Sequence, residues 1–136
     1  MKICVFLILL VAYGNFALNV TMRDIRNLWK GTVAPYSSQY IRKSGGNQNN
    51  AVNVFYRYGK MPNDPHLKCY FSCLCFELKV FPSTGEVDVK KWADLFDFLD
   101  ISLARKCSNS IERDPCQRAY LMVKCVHDHL SKLYPQ

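Results

Sequence analysis

The side chains best suited to chemistry are cysteines at regular spacing. Cys69 and Cys73 are four positions apart. Further on, Cys107, Cys116 and Cys125 follow one another with eight residues between neighbours. Residues four positions apart share a helix face, so the first pair predicts two sulfurs on one side of a helix. Such thiols form disulfides or bind zinc, and in a secreted chain disulfides are favoured. We therefore expect helices tied by disulfides, with no metal and no cofactor.

The N-terminus predicts the oxidising compartment that disulfides require. The apolar run from Ile3 to Tyr13 has the length of a signal-peptide core and is too short to span a bilayer. We expect residues 1–17 to be a signal peptide and 18–136 to be one secreted extracellular domain without an integral membrane segment. Cys4 would leave with the signal, so six cysteines remain. Asn19, in Asn-Val-Thr, is a formal glycosylation acceptor.

The formal charge of +7 is spread along the chain, and no basic run is longer than two residues. A nucleic-acid footprint normally gathers its basic residues on one face or stripe. The sequence therefore argues against nucleic-acid binding. It is compatible with a mild attraction to anionic surfaces or acidic ligands.

Helical patterning predicts an all-α domain. In the first helix Ile25, Leu28 and Trp29 are predicted to face inward, and Pro35 is expected to interrupt the helix. Gly59 is placed to end a helix in a left-handed conformation. Helix starts are predicted at the capping residues Thr21, Asp64, Asp88 and Asp114. The predicted helical segments are 21–30, 36–43, 48–58, 65–80, 88–107 and 114–130.

His127, Asp128 and His129 are the residues that most invite a catalytic interpretation. Secreted phospholipases also carry a His-Asp pair near cysteines, but here Cys125 stands alone before the pair and no glycine-rich calcium loop occurs. Consecutive helical residues do not face one another, which also disfavours a metal site. We expect no enzyme activity. The histidines, including His66, are expected to be solvated, or to titrate near pH 6 and loosen the C-terminal tail.

Six cysteines allow fifteen disulfide connectivities, and helix geometry removes some of them. Cys116 and Cys125 would lie about 13 Å apart along one helix, beyond the reach of a bridge. Cys73 and Cys75 point about 200° apart around their helix. Cys75 is expected to be a buried thiol that packs as a small hydrophobe. The alternative is an intermolecular bridge through Cys75 or Cys73, which would give a homodimer.

Taken together, these segments resemble insect odorant-binding proteins of the pheromone- and general-odorant-binding superfamily. The resemblance rests on Leu67–Cys73, on Thr84–Asp88 and on the Cys107-x8-Cys116-x8-Cys125 spacing. Asp114–Tyr120 is especially similar to the family's last cysteine helix. The resemblance covers residues 60–130 well and implies a compact bundle of about six helices, cross-linked by disulfides around a hydrophobic cavity.

The family joins its six half-cystines first to third, second to fifth and fourth to sixth. Carried over by position, this implies the bridges Cys69–Cys116 and Cys107–Cys125. The family's first half-cystine should lie near Tyr40, but no cysteine occurs between Val5 and Lys68. The resemblance therefore leaves the pairing of Cys73 uncertain. Loss of that third bridge is expected to free the N-terminal helix to move or repack.

The resemblance implies a carrier that binds and transports a small hydrophobic ligand, such as an odorant, a pheromone or a lipid-like molecule. A chemosensory receptor and a second copy of the chain are its candidate protein partners. The alternative is a secreted helical scaffold for protein interaction or scavenging, with its interior filled by its own side chains. The residues expected to line the cavity are aromatic or aliphatic: Phe55, Tyr56, Leu74, Val80, Trp92, Phe96, Leu99, Tyr120, Val123, Leu133 and Tyr134.

Overall fold

The computed structural model describes residues 19–43, 50–83 and 86–136, and no strand occurs among them. The predicted signal peptide, 1–17, lies outside these residues. No helix within the described ranges combines the length and the apolar character needed to cross a membrane. The prediction of an all-α fold is confirmed. The helices are α1 (Met22–Lys43), α2 (Asn50–Tyr58), α3 (Pro65–Glu77), α4 (Val89–Leu95), α5 (Ile101–Cys107) and α6 (Pro115–Ser131).

Side-chain caps fix where these helices begin. At α1, the backbone N–H of Thr21 donates to the Asp24 carboxylate at 3.0 Å, and Asp24 N donates back to Thr21 Oγ1 at 3.2 Å. This reciprocal pair satisfies two backbone donors that the first helical turn leaves unpaired. The predicted caps of α3, α4 and α6 are also confirmed, and each accepts from a backbone N–H inside its helix. They are Asp64, Asp88 and Asp114.

Helices α3 and α6 form the centre of the bundle and pack against each other more extensively than any other pair. Helix α1 contacts α2 and α3, while α5 contacts both α4 and α6. The two ends of the described chain meet, since Met22 N donates to the Pro135 carbonyl at 2.7 Å. The Tyr134 ring lies edge-on to Phe98, with centroids 5.4 Å apart. The C-terminal tail therefore covers the start of α1.

Helix α1 differs from its prediction in two ways. It continues through Pro35 as one helix of 22 residues, although proline lacks the N–H that a helix interior normally uses. Val33 is buried, and Tyr36 and Tyr40 pack on the same core, so contacts on both sides of the proline keep the helix continuous. The predicted inward orientation is confirmed for Ile25 and Trp29. It is wrong for Leu28, which is 45% exposed, because Arg26 lies on the buried face of α1 and Leu28 does not.

The segment predicted as one helix from 88 to 107 is two helices, α4 and α5. Between them Phe98 has φ 67°, and the carboxylate of Asp100 accepts from Leu103 N at 2.7 Å. A new N-cap at Asp100 competes with helix continuation, and the Asp97 carbonyl is engaged by the indole N–H of Trp29 at 2.8 Å. The predicted end of α3 near Val80 is also wrong, because the helix stops at Glu77.

Gly59 takes the predicted left-handed conformation, with φ 73°, where side chains are disfavoured. A Cβ placed there would lie 2.6 Å from Arg26 Nη1 and 3.1 Å from His127 Cε1. We expect Gly59→Ala to lower the free energy of unfolding by about 2 kcal/mol, measured by urea denaturation. Gly31→Ala is the matched control, since nothing lies within 4 Å of its Cβ position and alanine favours a helix interior. Equal stability of the two variants would contradict this assignment.

Candidate ligand-binding cavity

Two disulfides hold the helices that surround the interior. Cys69 on α3 is bonded to Cys116 on α6, and Cys107 at the end of α5 is bonded to Cys125 on α6. These are the two pairings that the family resemblance implies. Both bridges converge on α6, so that helix is fixed against α3 on one side and against α5 on the other.

Tyr40 stands where the family's first half-cystine was expected. Its hydroxyl donates to the His66 carbonyl at 3.2 Å, and its ring lies edge-on to that of Tyr70, with centroids 5.6 Å apart. Cys73 is half-buried on α3. The pKa of Tyr40 is raised, mainly by burial and to a smaller extent by its electrostatic interaction with Cys73. Non-covalent contacts of Tyr40 therefore connect α1 to α3 in this region.

A cavity of about 60 Å³ lies among all the helices except α5. Its walls come from α1, α2, α3, α4 and α6 and from the turns at 78–80 and 96–99. The two bridges and the capped helix starts set the relative positions of those walls. The lining side chains are apolar or aromatic throughout: Trp29, Val33, Phe55, Tyr56, Phe71, Leu74, Cys75, Leu78, Val80, Trp92, Phe96, Leu99, Val123 and Val126.

The structure brings eight of the eleven sequence-predicted residues to this cavity and places three elsewhere. The Tyr120 hydroxyl donates to the Met61 carbonyl at 2.8 Å, and its ring lies under the Lys68 ammonium. Leu133 is 65% exposed, and Tyr134 packs on Phe98. The eight that line the cavity are Phe55, Tyr56, Leu74, Val80, Trp92, Phe96, Leu99 and Val123.

Several lining residues were missed by the sequence analysis. Trp29 and Val33 lie on α1, whose apolar face was assigned to the core without a cavity beneath it. Phe71 lies on the cysteine-bearing helix about one turn before the predicted Leu74, and Cys75 directly follows Leu74. The i, i+3 and i, i+4 positions around Leu74 and Val123 were the signal that could have found Phe71, Leu78 and Val126.

The polar atoms of the lining are mostly engaged within the protein. The Tyr56 hydroxyl is hydrogen-bonded to that of Tyr70 at 3.0 Å, and the indole N–H of Trp29 donates to the Asp97 carbonyl. Burial raises the pKa of the Cys75 thiol to about 12, so it stays neutral at physiological pH. The cavity therefore presents an uncharged, apolar surface that recognises shape and hydrophobicity.

A buried cationic residue lies next to the cavity wall. Arg26 is 2% exposed; its Nε donates to the Tyr56 carbonyl at 3.1 Å, and its Nη1 lies 3.1 Å from His127 Nε2. The imidazole of His127 contacts the Phe55 ring. Burial, and then the charge of Arg26, lowers the pKa of His127 to about 4. The expectation that His127 is solvated or titrates near pH 6 is therefore wrong: it is a neutral acceptor that joins α1 to α6.

The His-Asp-His segment of α6 is divided among different surroundings. His127 faces the buried Arg26, whereas the exposed Asp128 is paired with Lys124 on the same helix at 2.8 Å. Within the described residues, no cluster of three His, Cys, Asp or Glu side chains is arranged to hold a metal ion. The geometry of this segment is that of structural contacts.

The amino-acid sequence was compared with protein-family models, with curated proteins and with solved structures. The model of the PBP/GOBP family matches residues 46–129, which include both bridges and most of the cavity lining. No curated protein and no solved structure gave a significant match. Because the family model covers more than half of the chain, and the helical fold and bridges accord with it, this protein belongs to the PBP/GOBP family.

Proposed function

We propose that this protein is a secreted carrier that binds a small hydrophobic molecule in the apolar cavity and transports it in stoichiometric amounts. PBP/GOBP proteins are extracellular binding and carrier proteins rather than enzymes. The observation that carries the proposal is the lining of the cavity, which has aromatic and aliphatic side chains from five helices and no charged group. An odorant, a pheromone or a lipid-like molecule has the matching chemistry.

Burial of apolar surface supplies the binding energy. At roughly 25 cal/mol per Å², a ligand that buries about 250 Å² gains some 6 kcal/mol before the costs of association. This gain suits affinities near the micromolar range. The cavity of about 60 Å³ is smaller than typical ligand pockets of roughly 300–1,000 Å³. Binding therefore requires the lining side chains to move apart.

We expect α4 and the turn at 96–99 to be the part of the wall that moves when a ligand binds. The segment from α4 to α5 breaks into two short helices at 96–100, and Phe96 and Leu99 at that break both line the cavity. Within 86–107 the Cys107–Cys125 bridge is the sole disulfide, and it lies at the far end of α5. Outward displacement of Phe96 and Leu99 enlarges the cavity without disturbing the disulfide-linked pair α3 and α6.

Uptake of the apolar dye N-phenyl-1-naphthylamine tests the proposal. We expect saturable one-to-one binding by the wild-type protein, and displacement of the dye by apolar ligands. Leu74→Trp fills the cavity from α3, and we expect it to weaken dye binding at least about tenfold. Leu121→Trp is the matched control, because Leu121 is 37% exposed on α6 and should leave dye binding intact.

Circular dichroism separates loss of the cavity from loss of the fold, since overpacked cores lose stability. If Leu74→Trp unfolds, Val126→Phe fills the cavity from α6 with a smaller increase in volume. Absence of saturable uptake by a folded wild-type protein would contradict the proposal. That result would favour the alternative of a protein-interaction scaffold with a filled interior.

A further inference from the structure

The Tyr56 side chain forms part of two neighbouring spaces. On one side it lines the apolar cavity. On the other it borders a surface groove between α1 and α2, which we call the basic groove. The Lys30 ammonium lies 5.9 Å from the Tyr56 ring centroid, so the groove approaches the same ring from outside. The basic groove is lined by Arg23, Asn27, Lys30, Asn50, Asn53, Val54, Tyr56, Arg57 and Tyr58.

The charge of the basic groove is of one sign. Arg23, Lys30 and Arg57 contribute cations, and no carboxylate belongs to its lining. The ion pairs seen in the described part of the chain, Lys90–Asp94 and Lys124–Asp128, involve none of these three. The Asp24 carboxylate interacts electrostatically with Arg23, but it accepts a hydrogen bond from the backbone N–H of Thr21 at the start of α1. A concave surface with unbalanced cations attracts anions.

The buried Arg26 adds to the same field. It lies on α1 between Arg23 and Lys30, and its guanidinium reaches the Tyr56 carbonyl at 3.1 Å. Burial and, to a smaller extent, the charge of Arg23 lower its pKa. The three amides Asn27, Asn50 and Asn53 offer additional hydrogen-bond donors along the groove.

We propose that the ligand class of this carrier is an amphiphile with an anionic head, whose alkyl tail occupies the apolar cavity while its carboxylate lies in the basic groove, with the Tyr56 ring at the boundary. This inference rests on the proposed function. A carboxylate is excluded from the cavity, since burying an unpaired charge is costly and the lining holds no cation. In the basic groove the same group meets cations while keeping part of its hydration.

The Tyr56 side chain is buried and held in place in the unliganded protein. Its hydroxyl is held by Tyr70, and its ring contacts Phe55 and Tyr70 edge-on. A ligand that extends from the cavity into the basic groove must therefore turn this ring aside and break its hydrogen bond to Tyr70. Tyr56 thus separates the cavity from the basic groove in the unliganded protein and lies alongside the ligand, between its head and its tail, in the complex.

Calorimetric titration with decanoic acid and methyl decanoate tests the inference. We expect the acid to bind about tenfold more tightly than the ester at low ionic strength, with the difference shrinking as salt screens the groove. In the triple variant Arg23→Gln, Lys30→Gln, Arg57→Gln, acid and ester should bind with similar affinity. A control triple variant with the same charge change at exposed positions, Lys106→Gln, Arg113→Gln and Lys132→Gln, should keep the preference for the acid.

Each remaining outcome is decisive. Equal affinities for acid and ester in the wild type, or a preference that survives the Arg23, Lys30 and Arg57 substitutions, would overturn the inference while leaving the carrier function standing. If neither ligand binds a folded protein that still takes up the dye, this inference fails and the carrier function stands; if dye uptake is absent as well, both fail.

Discussion

Replacement of the Cys69–Cys116 pair by alanine is expected to lower the free energy of unfolding by about 4 kcal/mol. This bridge spans 47 positions of the chain, and closing a loop of that length removes entropy from the unfolded state. It also joins α3 to α6, the two helices at the centre of the bundle. Urea denaturation at neutral pH measures the loss, with both cysteines replaced so that no new thiol takes part in exchange.

The second bridge provides the comparison. Cys107–Cys125 spans 18 positions, so its removal is expected to cost about 3 kcal/mol by the same reasoning. It connects the short helix α5 to α6, and α5 contributes no residue to the cavity lining. A larger loss for the shorter loop would contradict the ordering and would show that local packing, not loop length, decides the contribution of each bridge.

Helix starts are the part of this fold that could be predicted most directly. An aspartate before proline, as at Asp64–Pro65 and Asp114–Pro115, brings both cap and first-turn signals within two residues. Such signals are local, so a single sequence carries them. Helix ends and breaks were less readable, because α4 and α5 divide at a point where Trp29, 68 positions away, binds the Asp97 carbonyl.

Much of the cavity could be predicted as well, since large apolar side chains at helical spacing must face the interior. The structure places Tyr120, Leu133 and Tyr134 outside the cavity lining, because their positions depend on contacts formed only in the folded chain. Tyr120 is turned towards the Met61 carbonyl, and Leu133 lies beyond the last helix, where it is largely exposed. Trp29 was predicted to face the interior but not to line the cavity. Whether a buried side chain borders a cavity depends on the tertiary packing around it.

The buried Arg26–His127 pair could not be predicted from composition or periodicity. Arginine is rarely buried without a carboxylate partner, so a sequence argument assigns it to the surface by default. Here a backbone carbonyl and a neutral imidazole replace the carboxylate. Gly59 makes room for both side chains, and its left-handed turn was predicted while the reason for its small size was not.

Acidification is expected to destabilise the protein through His127. Its pKa is lowered from 6.5 to about 4 in the folded state, mainly by burial and then by Arg26. Below pH 6.5 the unfolded chain binds a proton that the folded chain excludes, so the unfolded state gains stability as the pH falls. This contribution is fully present above pH 6.5 and is lost progressively down to about pH 4. The total change is about 3 kcal/mol.

His127→Gln isolates the effect, because glutamine also accepts a hydrogen bond from Arg26 and does not titrate. Urea denaturation between pH 7 and pH 4 should show a steep loss of stability in the wild type and a much flatter profile in this variant.

His66→Gln, at an exposed position, is the control and should keep the wild-type profile. The pKa of Asp24 is lowered by its hydrogen bonds with Thr21, and its contribution is the same in the wild type and in both variants, so it cancels in the comparison. The charged groups that act on His127 are Arg26, Lys124 and Asp128, and only Arg26 binds its ring. An unchanged slope in His127→Gln would therefore place the acid sensitivity outside the Arg26–His127 contact.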